Sequence, residues 1–328
     1  MVAEGPSAPP EVAERLRAGA FLLVDKPRGP SSHQVTAWVR DMIGVPLAGH
    51  AGTLDPHVSG VLWIGVGPSL KLLPMLLELP KRYVGVLTLH GPVPAEALAT
   101  AVAEFTGPVF QTPPVRSAVK RRRRIRTIHR LTVLDRAGTN VLIDCVVDSG
   151  TYIRSLAVDL GDALGVGAHL AELRRVGTGP FGEAEAVSLA ALKDATLAAE
   201  AGNGAPLLAM LHPMARVLGE FPRLTLREGA ASAIAHGADL ARGGIRSVEG
   251  KFAEGDSVVL VDEGGRLLAV GRALRDSEHL GGEGWVVDAT RVFSDPARYP
   301  PTWQRAHPTR RGPPAPVGNE EPSVDAGG

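Results

Sequence analysis

The longest apolar stretch of the chain, residues 58–79, is cut by Gly60, Gly65, Gly67, Pro68, Lys71 and Pro74. A membrane-spanning helix needs about 20 uninterrupted apolar residues. The stretch therefore reads as a buried strand over residues 61–66 with a broken continuation, and no membrane span is expected. An apolar share of 44% supports a sizeable core, and 328 residues are enough for roughly two domains. Lysine plus arginine and aspartate plus glutamate number 35 each, so only the distribution of charge can point to an anionic partner. The single cysteine, Cys145, lies in the apolar run 141–147. It cannot form an intrachain disulfide, it belongs to no Cys/His set with metal-ligand spacing, and it reads as a small buried hydrophobe. Residues 1–20 are polar and rich in Pro and Ala, without a signal-peptide pattern, so a soluble, cytoplasmic protein is expected.

Residues 21–24 are strand-like and run into a turn dense in breakers, Asp25-Lys26-Pro27-Arg28-Gly29-Pro30. Ser31 or Ser32 can then cap a helix whose apolar positions Val35, Trp38, Val39 and Met42 keep a 3.6-residue period, with Gly44 as its stop. Residues 49–60 read as a loop by composition. Further strands are expected over 83–90 and 140–148, helices over 94–105 and 152–164, and the Ala/Gly-rich residues 195–208 read as the approach to a boundary. Beyond Phe221, strand 258–261, the turn Asp262-Glu263-Gly264-Gly265 and strand 266–270 suggest a small β-rich domain that ends near Phe293. Residues 296–328 hold many Pro, Gly and charged residues and are expected to be disordered. The plan is a short lead over 1–20, a first domain over 21–218, a second over 219–295 and a tail over 296–328.

The sharpest chemical signal is Gly49-His50-Ala51-Gly52-Thr53-Leu54-Asp55-Pro56. An aspartate with two glycines upstream and a proline downstream is held in a loop of restricted geometry. There its carboxylate can serve as nucleophile, general base or metal ligand, or merely shape the turn. The loop resembles the catalytic motif of the TruB-type pseudouridine synthases, and the resemblance continues in order along the chain. Asp25-Lys26-Pro27-Arg28-Gly29-Pro30-Ser31-Ser32-His33 resembles the first motif of that family, Lys81-Arg82-Tyr83 the second, and Gly150-Thr151-Tyr152-Ile153-Arg154-Ser155-Leu156 the third. Gly165-Val166-Gly167-Ala168-His169 and Leu173-Arg174-Arg175 follow at similar spacing.

The resemblance implies an RNA pseudouridine synthase that needs no cofactor. Its reaction breaks the N1–C1′ bond of uridine, turns the base and rejoins it through C5, so nothing is oxidised or hydrolysed. The resemblance makes Asp55 the catalytic carboxylate, by attack on the sugar or by assisting elimination, and pairs it with Arg154. It stacks Tyr83 on the extracted uracil, where the phenol can also help move the C5 proton, and counts Tyr152 among the substrate-binding residues. His50 falls where the base leaves its helix or loop. Lys26 would order the active-site loops, and Leu173 would pack beneath the pocket.

The charge run Arg116, Lys120, Arg121, Arg122, Arg123, Arg124, Arg126 and Arg130 is a candidate phosphate-contact strip, with a solvated loop or a localisation-type patch as the plain alternatives. The segment from Gln111-Thr112-Pro113-Pro114 through Ser117-Ala118-Val119-Lys120 to Arg126-Thr127-Ile128 is similar to the dyskerin branch, the catalytic subunit of archaeal and eukaryotic H/ACA ribonucleoproteins. His129 stands where that branch commonly has Tyr. Ala235-His236-Gly237-Ala238-Asp239-Leu240, followed by Gly243-Gly244-Ile245, resembles the RNA-binding PUA domain of archaeal dyskerin homologues, with His236 and Gly237 as RNA contacts. Archaeal members usually carry a longer N-terminal extension than the residues that precede Phe21 here. The fold class implied is α+β, a mixed-sheet pseudouridine synthase domain plus a small β-barrel PUA domain. The implied task is modification of rRNA selected by an H/ACA guide RNA. Small Gar and Nop proteins and a kink-turn-binding ribosomal-type protein are the implied partners. Guide-independent modification of the TΨC-loop uridine of tRNA is the alternative within the enzyme class. A non-catalytic RNA-binding scaffold is the alternative outside it, and the presence of Asp55, Tyr83 and Arg154 together argues against that one.

Overall fold

A computed structural model describes residues 9–112 and 122–301, and the chain divides between Pro222 and Arg223 into two compact units. The division falls past the 218/219 boundary expected from sequence, because His212–Pro213 pairs with the first strand of the first unit and the helix Met214–Leu218 continues from it.

The first unit is built on a ten-stranded mixed sheet. Its strands in chain order are β1 (Ala20–Lys26), β2 (Ala48–Ala51), β3 (Ser59–Val66), β4 (Lys81–Leu89), β5 (Gly107–Gln111), β6 (Arg124–Ala137), β7 (Asn140–Val147), β8 (Ala168–Thr178), β9 (Phe181–Gly182) and β10 (His212–Pro213). Across the sheet the order is β10-β1-β3-β8-β4-β7-β6-β5, with β2 on β3 and β9 on β8. Strand β8 lies parallel to β3 and antiparallel to β4. Directly paired residues share a face of the sheet. The register Lys26↔Gly60, Gly60↔Arg175, Arg175↔Tyr83 and Tyr83↔Cys145 therefore runs along one face, across five strands.

Two cores flank this line. Leu22, Val24, Leu62 and Ile64 pack with Val35 and Val39 of helix Ser32–Ile43 and Leu192 of helix Leu189–Glu200. Leu87, Ile143, Cys145 and Val147 pack with Leu98 of helix Ala95–Glu104 and Leu156 and Leu160 of helix Ile153–Ala163. The helix start and stop expected near residues 31 and 44 are present. Ser31 Oγ accepts the Gln34 N–H at 3.1 Å, and Gly44 adopts φ +68°, the left-handed conformation that closes a helix at low cost.

Cys145 is fully buried, and burial pushes its thiol up to about 12. Only the thiolate is a good nucleophile, so Ellman's reagent should leave the native thiol unmodified and titrate one thiol once the protein is unfolded in guanidinium. Rapid reaction of the native protein would show that this core opens.

Other sequence expectations are refined as well. Residues 49–60 are not all loop, since Ala48–Ala51 pairs with β3; Gly49 has no side chain there because Leu70 and Leu73 occupy the space of a Cβ. Residues 195–208, expected as the approach to a boundary, are still part of the first core, with Ala195, Ala199 and Leu207 on helices Leu189–Glu200 and Ala205–Met210, and the division comes after Pro222. The charge run is in part strand β6, in which the fully buried Ile128 turns inward while Arg124 and Arg130 stay exposed. The lead contains a helix, Pro10–Ala18, anchored by the buried Val12.

The second unit is a six-stranded sheet of β11 (Arg223–Leu226), β12 (Leu240–Ala241), β13 (Ile245–Glu249), β14 (Ser257–Val261), β15 (Leu267–Ala273) and β16 (Trp285–Val292), ordered β12-β16-β15-β14-β11-β13. Leu224, Ile234, Val258, Leu260, Leu268 and Val286 form its core. The expected tail starts too early, because residues 296–301 are tied to this core. Tyr299 donates to Asp262 Oδ2 at 2.7 Å, and Ser232 donates to the Pro300 carbonyl at 2.9 Å. The rest of the expected tail, 302–328, lies outside the described residues. Among the described residues no helix is long and apolar enough to cross a membrane.

Candidate active site

The turn between β2 and β3 carries Asp55, and neighbouring side chains hold its backbone rather than its carboxylate. Ser32 Oγ donates to the Leu54 carbonyl at 2.9 Å and accepts the Leu54 N–H at 2.8 Å, while Gly29 N–H donates to the Pro56 carbonyl at 2.8 Å. Lys26 is fully buried, and its ammonium donates to the carbonyls of Val58 at 2.8 Å and Pro27 at 2.9 Å. Burial lowers its pKa, and the nearby Asp55 charge works in the opposite direction. Arg175 is 1% exposed and donates from Nε to the Val61 carbonyl and from Nη2 to the Gly52 carbonyl, both at 2.8 Å.

With its backbone held, the Asp55 carboxylate stays half exposed and meets one cation, Arg154 Nη2, at 2.9 Å from Oδ2. Side-chain exposures of 46% for Asp55 and 39% for Arg154 make this an open pair, which adds at most about 1 kcal/mol of stability. The pair sets Oδ2 beside the first turn of the helix that bears Arg154 more than it adds stability. Arg154 sits in the first turn of helix Ile153–Ala163, and the start of that helix is fixed by Gln111. The buried Gln111 amide accepts the Tyr152 N–H at 2.9 Å and donates to the Tyr152 carbonyl at 3.2 Å. An open cavity of about 530 Å³ adjoins Arg154, lined also by Phe110, Arg123, Val158 and Asp159, with the Arg123 guanidinium 4.5 Å from the Phe110 ring centre.

Tyr83 stands opposite Arg175, half-buried on the core of β7. Leu173 lies two positions along the same face, where it fills the space a Cβ on Gly85 would need. His50 is held in one tautomer. Thr36 Oγ1 donates its proton to the Ser32 carbonyl at 2.8 Å, so His50 Nδ1, at 3.1 Å, is the donor to that hydroxyl. Nε2 keeps its lone pair, 3.4 Å from Thr53 Oγ1. Burial, then the charges of His33 and Arg175, lower the His50 pKa. Its ring stands edge-to-face on His33, with centres 4.7 Å apart. Among the described residues no group of three or more His, Cys, Asp or Glu could hold a metal ion.

The model of the TruB family pseudouridylate synthase N-terminal domain matches residues 40–153, that of the tRNA pseudouridylate synthase B C-terminal domain residues 154–219, and that of the PUA domain residues 222–282. The probable tRNA pseudouridine synthase B of Methanothermobacter thermautotrophicus is 42% identical over 302 residues, 91% of this chain and 93% of that protein. The chain belongs to the TruB family of pseudouridine synthases. It is accordingly an enzyme that converts uridine to pseudouridine in RNA, an α+β protein with a mixed-sheet catalytic domain and a PUA domain. The probable tRNA pseudouridine synthase B of Methanopyrus kandleri is 44% identical, over 90% of this chain and 89% of that one. Among solved structures, a chain of a Cbf5–Nop10–Gar1 complex matches with a TM-score of 0.81 and 37% identity, covering 92% of this chain and 93% of that one. A chain of an H/ACA RNP bound to a substrate RNA containing 2′-deoxyuridine matches with a TM-score of 0.77 and 34% identity, covering 92% and 94%.

The TruB-family catalytic domain divides the candidate RNA-contact residues. Arg122, Arg123 and Arg124 are exposed, and Arg126 lies against Gly150, where a Cβ would sit 3.3 Å from its guanidinium. Lys120 and Arg121 lie outside the described residues. His129, the departure noted from the dyskerin branch, donates from Nε2 to Asp148 Oδ1 at 2.8 Å, and the other Asp148 oxygen accepts the Thr127 N–H at 2.9 Å. Burial raises the Asp148 pKa, but these hydrogen bonds outweigh it and hold the carboxyl below its usual value. The histidine thus anchors β6 beside the turn into the third motif. In the PUA domain His236 and Gly237 are exposed at the end of helix Glu228–Ala235, with Gly237 at φ +83°.

Sequence reasoning gave Ser32, Gln111 and Arg175 no role in the site. Each holds backbone by hydrogen bonds that join positions far apart in the chain, and neither spacing nor periodicity carries that information.

Proposed function

We propose that this TruB-family enzyme is the catalytic subunit of a guide-RNA-directed ribonucleoprotein that converts uridines of ribosomal RNA to pseudouridine. The observation that carries this reading is the match along both units to chains solved within a Cbf5–Nop10–Gar1 complex and an H/ACA RNP. An H/ACA guide RNA, small Gar and Nop proteins and a kink-turn-binding protein are the partners this reading requires.

Asp55 is the catalytic carboxylate. It attacks C1′, or takes the C2′ proton in an elimination, as the C1′–N1 bond breaks; the uracil turns, and C5 bonds to C1′ as the ester bond to Asp55 breaks or C2′ regains its proton, while the C5 proton is lost and N1 gains one. Arg154 aims the carboxylate. Tyr83 stacks on the uracil of a nucleotide taken out of its stack. Tyr152 and Leu173 complete the substrate pocket, Lys26 fixes the loop, and His50 faces the gap left by the base. Arg122, Arg123, Arg124 and Arg126 meet phosphates, and His236 and Gly237 touch the guide RNA.

The names of the Methanothermobacter and Methanopyrus relatives, probable tRNA pseudouridine synthases B, favour a second reading, guide-independent modification of tRNA. Carbodiimide mapping of pseudouridine on a guide-paired rRNA fragment and on a tRNA transcript, with and without guide RNA and accessory proteins, separates the two. The guide reading expects product on the rRNA fragment only with the complete complex. Product on tRNA with protein alone, and none on the guided fragment, would replace it with the tRNA reading.

A further inference from the structure

We propose that Arg175 is a positioning residue for the isomerisation, holding the Asp55 loop at both ends and tying it to the strand that carries Tyr83. Burying a guanidinium is costly, and a position that only needed filling would be served better by an apolar side chain. Arg175 is nonetheless the second largest of the fully buried side chains. Its hydrogen bonds run to two backbone carbonyls, those of Gly52 and Val61, which bracket residues 53–60 and hence Asp55. A rigid fork of donors suits such a bridge, whereas a lysine offers one point charge.

The loop is cut to this arginine. A Cβ on Gly52, which adopts φ +73°, would lie 3.0 Å from Arg175 Nη1, and a Cβ on Gly60 would lie 2.1 Å from the Arg175 carbonyl oxygen. Arg175 pairs directly with Tyr83 across β8 and β4. One residue therefore sets the separation between the loop of the carboxylate and the strand of the stacking ring. Its charge is felt across the site, where it helps lower the pKa of Lys26, His50 and Lys81. Arg175 does not reach the substrate; it acts through the loop.

The test uses Arg175→Lys and Gly52→Ala in the full chain, the second straining the φ +73° turn and crowding the guanidinium without removing it. The single-turnover rate is measured at saturating enzyme on whichever of the guided fragment and the tRNA transcript the wild type converts, so failure of the guide reading leaves this test intact. A displacement of the loop by ~1 Å predicts a rate constant about 100-fold lower in each variant, with RNA affinity by filter binding within about threefold of wild type. A wild-type rate in Arg175→Lys would overturn the assignment, as would a loss carried by affinity instead of rate. If Arg175→Lys does not fold, Gly52→Ala decides alone, and a wild-type rate there rejects the proposal.

Discussion

Asp55→Asn is expected to lose pseudouridine formation by at least about 10⁴-fold, the scale of loss when a nucleophile acting with its partners is removed. Asparagine keeps the shape of the side chain and removes its nucleophilic oxygen. The fold should survive, because the loop is held by Lys26, Ser32 and Gly29 through backbone groups that do not involve the carboxylate. RNA binding should survive too, since the candidate phosphate contacts lie on other elements. Long-incubation carbodiimide mapping, filter binding and a melting curve on the same preparation test all three statements. Modification that persists with Asn at this position would remove Asp55 from the mechanism. A wild-type protein that binds RNA but modifies none under any condition would revive the scaffold reading.

The second large effect belongs to Arg154. Arg154→Ala leaves the half-exposed carboxylate without the cation that pairs with it among the described residues, and the expected loss in single-turnover rate is about 10²–10³-fold, as for removal of one preorganised donor. The change in melting temperature should be small, because an ion pair this open adds little to stability. A double-mutant cycle gives the sharper readout. If Arg154 works only through Asp55, the double variant Asp55→Asn with Arg154→Ala is no slower than Asp55→Asn alone. Additive losses would show that Arg154 acts on the substrate independently of the carboxylate.

What the sequence made legible follows the range of each interaction. The helix 32–43 could be read from Ser31, the period of Val35, Trp38, Val39 and Met42, and Gly44, because caps and periodicity are local. The family could be read because Asp55, Tyr83 and Arg154 each sit in an ordered run of motif residues. The clasps were not legible. Ser31 and Ser32 are equivalent as caps on paper, yet one caps the helix and the other grips Leu54, 22 positions away. Arg174 and Arg175 are adjacent, yet the first is partly exposed on Asp25 and Glu183 and the second is buried under the loop of Asp55. A strand places consecutive side chains on opposite faces, but the identity of the faces is decided by strands that the local sequence does not name. The charge run hid β6 for a related reason, since among its described residues only Ile128 turns fully inward, between Arg124 and Arg130, which face water.

The strand order also has a consequence for how the protein is made. Strand β8, residues 168–178, fills the place between β3 and β4, both of which leave the ribosome earlier. At a synthesis rate of about 5–20 residues per second, the inner edge of β4 waits on the order of ten seconds for its partner. During that interval the nascent chain presents an unpaired strand edge, a template for pairing with the wrong chain. Arg175 arrives on that same late strand, so the loop of Asp55 gains its clamp in the step that closes the sheet. The hydrogen bonds from Arg175 to the Gly52 and Val61 carbonyls therefore form only once this central gap is filled.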